Sequence, residues 1–335
     1  MLYAYQMRAH SNARYQQSLL SLAQKELCCM LSACGIQTEV CPHTLGGTPF
    51  LCFEAPDLTP DQRAFLTGHS ALYMTAFLEA EGLLRPVEGP PASWLPDDMP
   101  EILKYKGKTN AAFTRMLLNL ALSAGGQWNA RGVRTLDPIC GRGTALYCAL
   151  GRGMDAMGID SDRKSIQEGI AFTRKWLQFH HIKHTVAQSS YTLPGGKSAP
   201  GTVISICRPE AEKPCDMTFL LADTRNTAAL TRRQRVHALT ADLPYGVQHA
   251  PREHGRMDSL PSLLRDCLPA WRQALLPGCA AAIAFNTYTL PRETLEKAAL
   301  DAGFILPPEP IYHDFSHWVE QAVNRDVLIA RNPDQ

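Results

Sequence analysis

The hydrophobic and polar positions fall into two stretches with different rhythms. In the first stretch, Leu2 to Arg8 alternates and is rich in aromatics, which predicts a strand. Tyr15 to Cys34 carries Leu19, Leu20, Leu22, Ala23, Leu27 and Met30 at helical spacing, and Gly35 then ends that helix. Phe50 to Phe53 reads as a strand after the Gly46-Gly47 turn, and Ala71 to Phe77 as a later one. Asn12 and Thr59 are placed as helix N-caps, with Pro60 at the first helical position. Together these predict a small α/β unit over residues 1–90.

Glu88 to Pro100 contains Pro90, Pro91, Pro96 and Pro100, a composition that marks a linker at 91–100. From residue 101 to 331 apolar strands alternate with helices, the pattern of a mostly parallel, doubly wound α/β sheet. Strands are predicted at Val133 to Leu136, Ala156 to Ile159, Met217 to Ala222, Val236 to Thr240 and Ala280 to Phe285. Helices are predicted at Thr144 to Leu150, Arg163 to Phe179, Asn226 to Arg233 and Leu260 to Leu275. Trp318 to Ala322 and Asp326 to Ala330 form an expected closing hairpin. Thr185 to Cys207 interrupts the alternation and reads as an inserted hairpin turning at Pro194-Gly195-Gly196. There is no internal repeat and no low-complexity tract.

Composition narrows the classes. Of 335 residues 45% are hydrophobic and 19% charged, enough apolar material for sizeable cores and unlike a disordered chain. Lysine and arginine number 33 against 32 acids, so nucleic acid would have to be held by a local patch. Met1 to Arg14 lacks an apolar leader core, and no run approaches the ~18 to 20 apolar residues of a membrane span, so the expected location is cytoplasmic. The 11 cysteines are irregularly spaced and expected to be reduced. The group Cys28, Cys29, Cys34, Cys41 and His43 matches no zinc spacing, so no metal is expected.

Chemistry concentrates in three places. Thr135-Leu136-Asp137-Pro138-Ile139-Cys140-Gly141-Arg142-Gly143-Thr144 is a strand end, a Gly-x-Gly turn and a helix start. Glycine permits positive φ and close approach of a ligand, and the helix N-terminus offers unpaired N–H groups to a carboxylate or phosphate. The third glycine of a dinucleotide fingerprint is missing, which disfavours NAD. The second strand ends at Asp160, where a ribose-binding acid falls after a strand-turn-helix-strand unit. It can equally cap the next helix, as can Ser161 and Asp162. The third strand ends at Asp223, followed by Thr224. Asp223 is either an acceptor for an adenine amino group or an ordinary turn residue.

The fourth strand runs into Asp242-Leu243-Pro244-Tyr245-Gly246. The Asp242 carboxylate and the Leu243 carbonyl can both accept from a substrate NH2 group and so orient its nitrogen. Pro244 restricts Leu243 to extended geometry, and Tyr245 offers a face for a base to stack on. As a bare tetrapeptide the segment can also be a structural turn.

These segments, with Lys104-Tyr105-Lys106-Gly107-Lys108-Thr109-Asn110 before the first helix of this region, resemble class I S-adenosylmethionine-dependent methyltransferases. Among these the chain resembles the tRNA guanine-N2 methyltransferases and their bacterial relatives, over about residues 101 to 331. The resemblance implies a Rossmann-like, seven-stranded sheet with a C-terminal antiparallel hairpin, preceded by a ferredoxin-like unit. It implies S-adenosylmethionine as cofactor and an exocyclic amine, guanine N2 of tRNA or rRNA, as target. It places Asp137, Pro138, Cys140, Gly141, Gly143 and Thr144 around the cofactor's methionine part, with Lys108, Thr109 and Asn110 approaching the same end. Asp160 takes the ribose, Asp223 and Thr224 the adenine side, and Asp242, Leu243, Pro244 and Tyr245 the amine.

The chain departs from that pattern at Leu243, where the family has proline. It also lacks room before residue 95 for the THUMP module that grips tRNA. Residues 1–95 carry five basic against eight acidic side chains, a balance of −3 and a poor footprint for phosphates. Three basic groups lie later: Lys104, Lys106, Lys108 and Arg115; Arg174, Lys175 and Lys183 with His180, His181 and His184; and Arg225, Arg232, Arg233 and Arg235. Three other readings stand beside RNA methylation: a DNA amino-methyltransferase, a small-molecule or protein methyltransferase, and a non-catalytic binding protein.

Overall fold

A computed structural model describes residues 1–8, 13–103, 108–209, 211–244, 252–253, 256–257 and 259–334. The expected cap Asn12, the Lys104 to Gly107 segment, Tyr245 and Gly246 lie outside the described residues.

The N-terminal unit comprises β1 (Leu2–Met7), α1 (Ala13–Ala33), β2 (Val40–Leu45), β3 (Thr48–Glu54), α2 (Pro60–Leu66), β4 (Leu72–Leu78) and β5 (Leu84–Pro86). Its five strands run in the order β2-β3-β1-β4-β5, every neighbouring pair antiparallel. The first six elements follow the β-α-β-β-α-β succession of a split β-α-β unit, to which β5 adds an edge. The α2 start is set as the sequence expects. Thr59 Oγ1 accepts from Gln62 N, Gln62 Oε1 accepts in return from Thr59 N, and Pro60 opens the helix. The Val40 to Leu45 strand escapes the pattern because Cys41-Pro42-His43 faces solvent, with no alternation to read.

The second region contains α3 (Met99–Ile102), α4 (Ala111–Ala124), β6 (Arg134–Asp137), α5 (Thr144–Gly151), β7 (Asp155–Asp160), α6 (Arg163–Phe179), β8 (His184–Thr192), β9 (Ser198–Ile206), β10 (Cys215–Leu221), α7 (Thr227–Thr231) and β11 (Val236–Asp242). After a two-residue pair, β12 (Arg252–Glu253) and β13 (Arg256–Met257), come α8 (Leu260–Ala274), β14 (Leu275–Asn286), α9 (Arg292–Asp301), β15 (His317–Glu320) and β16 (Val323–Arg331). The large sheet has the order β15-β16-β14-β11-β6-β7-β10-β9-β8. Its centre, β14 to β10, is parallel, and both flanks are antiparallel.

The sheet therefore has nine strands where seven were expected. The reason is the inserted hairpin, which is no separate excursion. β9 pairs with β10 from Cys215↔Ile206 to Leu220↔Gly201, so β8 and β9 extend the sheet past its expected edge. Unpaired backbone donors at β10 are satisfied by that addition.

Alternation along β14 shows the layering. Ala280, Ala282 and Ala284 pack with Phe113 and Leu117 of α4, whereas Ala281, Ile283 and Phe285 pack with Trp271 of α8 and Leu295 of α9. Small alanines on the first face let α4 approach closely. The α4 side of the sheet also takes up Leu27 and Met30 of α1, so the N-terminal unit shares its core with the second region. The proline-rich stretch is docked as well. Trp94 Nε1 donates to Leu150 O at 2.7 Å, and Leu95 and Met99 are buried.

Buried polar groups join the same two units. Glu26 of α1 is fully buried and accepts from Ser70 N at 2.9 Å and from Asn119 Nδ2 of α4 at 2.6 Å. Asn119 Oδ1 in turn accepts from Arg152, which follows α5. Burial pulls the Arg152 guanidinium down to about 10, partly offset by the charge of Glu26. Among the described residues no helix is long and apolar enough to cross a membrane.

Candidate active site

Strand order places the site. β6 leads away through β7 to β10, and β11 leads the other way to β14, so the order reverses between β6 and β11. A crevice opens where this happens, beyond the carboxyl ends of the strands. The register aligns those ends: Asp137 lies opposite Gly158, Leu221 opposite Asp160, and Asp242 opposite Ala284. Acids 23 or more positions apart in sequence thus come to one edge.

The turn after β6 is built on two left-handed glycines, Gly141 at φ 53° and Gly143 at φ 95°. A Cβ on Gly143 would stand 2.9 Å from Phe219, so this glycine is required by packing as well as by φ. A Cβ on Gly141 would meet nothing within 4 Å, which leaves the backbone open to a ligand there. Gly143 is the N-cap of α5 and offers no side-chain acceptor to the first turn. A ligand carboxylate suits those N–H groups. Pro138 and Thr144 are buried beside the turn.

Asp160 braces this loop. Its Oδ2 accepts from Gly141 N and its Oδ1 from Asp162 N, both at 2.8 Å. Ser161 adds a third backbone bond, and a carboxylate with about four acceptor sites still has room for a hydroxyl. The helix α6 is capped by Asp162, which accepts from Lys164 N and Ser165 N. The two readings of Asp160 therefore separate: Asp162 is the cap, and Asp160 faces the glycine turn.

Three carboxylates share the edge. Burial pushes the Asp137 carboxyl up to about 8, with Asp160 and Asp242 adding like charge and a bond from Ile139 N opposing. Burial likewise raises Asp160, against the bonds from Asp162 and Gly141. Burial holds the Cys140 thiol well above its usual range, and both acids add to that. Cys140 is thus a packing residue whose sulfur sits against Gly158, not a nucleophile.

The other expected residues divide. Thr109 reaches the site, but its hydroxyl donates to Asp242 Oδ2 at 2.5 Å. Asn110 caps α4, accepting from Ala112 N at 2.8 Å. Lys108 Nζ donates to Glu101 O at 3.0 Å. Asp223 opens a short helical turn by accepting from Arg225 N at 2.8 Å, and Arg225 pairs with it at 3.2 Å. Thr224 is buried with its hydroxyl accepting from Trp271 Nε1 at 2.8 Å, which ties it to α8. Leu243 is buried and donates its N–H to Ala284 O at 2.9 Å, pinning the start of the Leu243-Pro244 segment to β14.

An open depression beside Asp160 is lined by Ser161, Arg163, Pro200, Leu221, Ala222 and Asp223. Pro200 comes from β9, so the inserted hairpin walls this side of the crevice. Sequence reading missed this residue, and it missed Phe113, His317 and Arg325 near Asp242. Pro200 lies 40 positions from Asp160, and Phe113, Arg325 and His317 lie 129, 83 and 75 positions from Asp242, so no local pattern marks them.

No family model matches the chain, and no curated protein matches it. Solved structures do resemble it. One is a TehB-like SAM-dependent methyltransferase from Corynebacterium glutamicum, 15% identical over 60% of this chain and 80% of that one, with a TM-score of 0.35. Another is a proposed RNA methyltransferase from Pyrococcus horikoshii, 16% identical over 71% and 89%, with a TM-score of 0.41. A third is magnesium protoporphyrin IX methyltransferase from Synechocystis with bound SAM, 12% identical over 70% and 89%, with a TM-score of 0.39. Likenesses this distant say nothing of what this chain acts on.

Proposed function

We propose that the protein is an S-adenosylmethionine-dependent methyltransferase acting on an exocyclic amino group, with guanine N2 in RNA as the target. The observation that carries the reading is the convergence of Asp137, Asp160 and Asp242 around an open glycine turn at the sheet's switch point. Asp160 and Asp242 disfavour a pyrophosphate and favour a cationic ligand, with Asp137 joining them once it ionises, which argues against a dinucleotide. The amino-acid end of S-adenosylmethionine matches the donor set: an ammonium for Asp137 and a carboxylate for the α5 N-terminus. Asp160 would take the ribose hydroxyls, and the depression lined by Pro200 and Asp223 the adenine.

When bound, the cofactor supplies an electrophilic methyl group. The residues of the chain then have mainly to align the acceptor nitrogen. Asp242 and the Leu243 carbonyl accept the two N–H bonds of the amine, and the Thr109 bond restrains the carboxylate that does so. Tyr245 is assigned the stacking role of its motif. The N-terminal unit reads as ferredoxin-like, a reading supported by its order β2-β3-β1-β4. Its negative balance favours small-molecule amines as the second substrate class.

Calorimetry with S-adenosylmethionine and S-adenosylhomocysteine tests the cofactor, with Asp160→Ala as control. Labelled methyl transfer to total RNA and to free guanosine then tests the substrate. Folded wild-type protein that binds neither cofactor form would end the methyltransferase reading. Transfer to guanosine alone would replace RNA by a small molecule.

A further inference from the structure

Resting on the reading of Asp242 as the amine acceptor, we propose that Arg325 is a positioning residue for that carboxylate, with Phe113 holding its guanidinium in place. Arg325 lies on β16 and is only 6% exposed. The register sets it opposite Asn286 of β14 on one side and His317 of β15 on the other. Its guanidinium carbon is 4.3 Å from the centre of the Phe113 ring, and its Nη2 is 4.0 Å from Asp242 Oδ2. Thr109 bonds the same oxygen. Phe113 and Thr109 belong to one stretch at the start of α4, so that stretch and the C-terminal hairpin hold a single carboxylate oxygen from two separate elements.

The arrangement has a physical rationale. Asp242 is one of three partly buried acids on this edge, and a cation beside it offsets their mutual repulsion. Arginine suits the place because its planar group stacks on a ring and keeps its charge when buried. At 4.0 Å the Nη2–Oδ2 pair attracts without a direct hydrogen bond between those two atoms.

His317 reports on the same cluster. Its ring lies 5.4 Å from that of Phe113, and Nδ1 lies 2.9 Å from Phe315 O. A carbonyl only accepts, so in the neutral ring Nδ1 carries the proton and Nε2 does not. Burial lowers the His317 pKa below its usual range. The bond to Phe315 opposes this, Arg325 adds to it, and Asp326 and Asp242 oppose it.

The test uses the full chain with R325Q, R325K and F113L, each checked for folding by thermal melting. Methyl transfer from labelled S-adenosylmethionine to total RNA, or to guanosine if that is the substrate used, is read beside cofactor affinity. R325Q is expected to lower kcat by roughly tenfold or more while cofactor Kd changes less than about threefold, and R325K to recover most of the loss. If R325Q does not fold, F113L takes its place and should give a smaller loss of the same kind. Nitrogen NMR of His317 gives a reading that needs no substrate: its titration should move to higher pH in R325Q and to lower pH in Asp242→Asn. An unchanged kcat in folded R325Q overturns the proposal. A wild type without methyl transfer removes the reading of Asp242 instead. In that case the R325Q shift of His317 is compared in the wild-type and Asp242→Asn backgrounds: unequal shifts uphold the Arg325–Asp242 coupling, and equal shifts overturn it.

Discussion

The Gly141 amide donates to the Asp160 carboxylate across 2.8 Å, and this bond ties the turn after β6 to the end of β7. Removing the acceptor leaves that N–H unpaired in a half-buried place. Asp160→Ala is expected to lose about 1–3 kcal/mol of stability, and Asp160→Asn, which keeps an oxygen, less. Both should weaken cofactor binding, the alanine variant more. Urea denaturation and calorimetry read the two effects. Wild-type stability and affinity in Asp160→Ala would remove the residue from the site.

The two glycines of the turn make separable predictions. Gly143→Ala must place a methyl group 2.9 Å from Phe219 at φ 95°, so it should lower stability by about 2 kcal/mol or more. Gly141→Ala meets no neighbour and bears only the left-handed cost, about 1–2 kcal/mol. It should nonetheless reduce cofactor affinity at least as much, because its methyl occupies the space left for a ligand. If Gly141→Ala binds the cofactor as the wild type does, the ligand does not approach there.

Asp137 predicts a pH dependence with a definite sign. In the folded protein its carboxyl holds a proton up to about 8, whereas in the unfolded chain it loses it near 3.8. Between those values the folded state binds more protons, so this group's contribution to stability declines as pH rises from 3.8 to about 8 and then levels off. Melting temperature measured across that range should fall less steeply in Asp137→Asn. Cofactor affinity should move the opposite way. An ammonium needs the carboxylate, so binding should strengthen toward pH 8 and release a proton, visible in calorimetry as heat that varies with buffer. A flat affinity between pH 6 and 8 would refute the ammonium contact.

Glu26 should matter far from the crevice. Glu26→Ala strips partners from Ser70, Asn119 and the Asn119–Arg152 pair inside a shared core. A loss of roughly 3–5 kcal/mol is expected for a buried network broken on one side. Because α1 packs into the same core as α4, denaturation should show one transition for the whole chain. Two separate transitions in the wild type would contradict that shared core.

Some of this was readable along the chain. Arg163 to Phe179 is the span of α6 itself, because an amphipathic run with an aspartate cap carries its own boundaries. Thr59, Pro60 and Gln62 likewise announce α2. The Gly-x-Gly turn and the acids at strand ends were legible because β6, β7, β10 and β11 are short apolar runs that stop at polar residues. Other features left no local trace. Cys41-Pro42-His43 is a solvent-facing edge strand with no periodic apolar face, and the exposed run Thr185 to Gln188 gives no sign that the expected hairpin joins the main sheet.

The sequence alone thus determined the α/β alternation, the glycine turn and the identity of the acids, since period, capping and φ preference act over a few residues. Tertiary structure alone decided how those acids are used. It turned Thr224 toward Trp271 and Thr109 toward Asp242, joined the inserted hairpin to β10, and brought Arg325 beside Asp242. Strand order sets those neighbours, and strand order arises from pairing between segments far apart in the chain. For the same reason Asp137 is raised first by burial and then by charges 23 and 105 positions away, effects that exist only once the strands lie side by side.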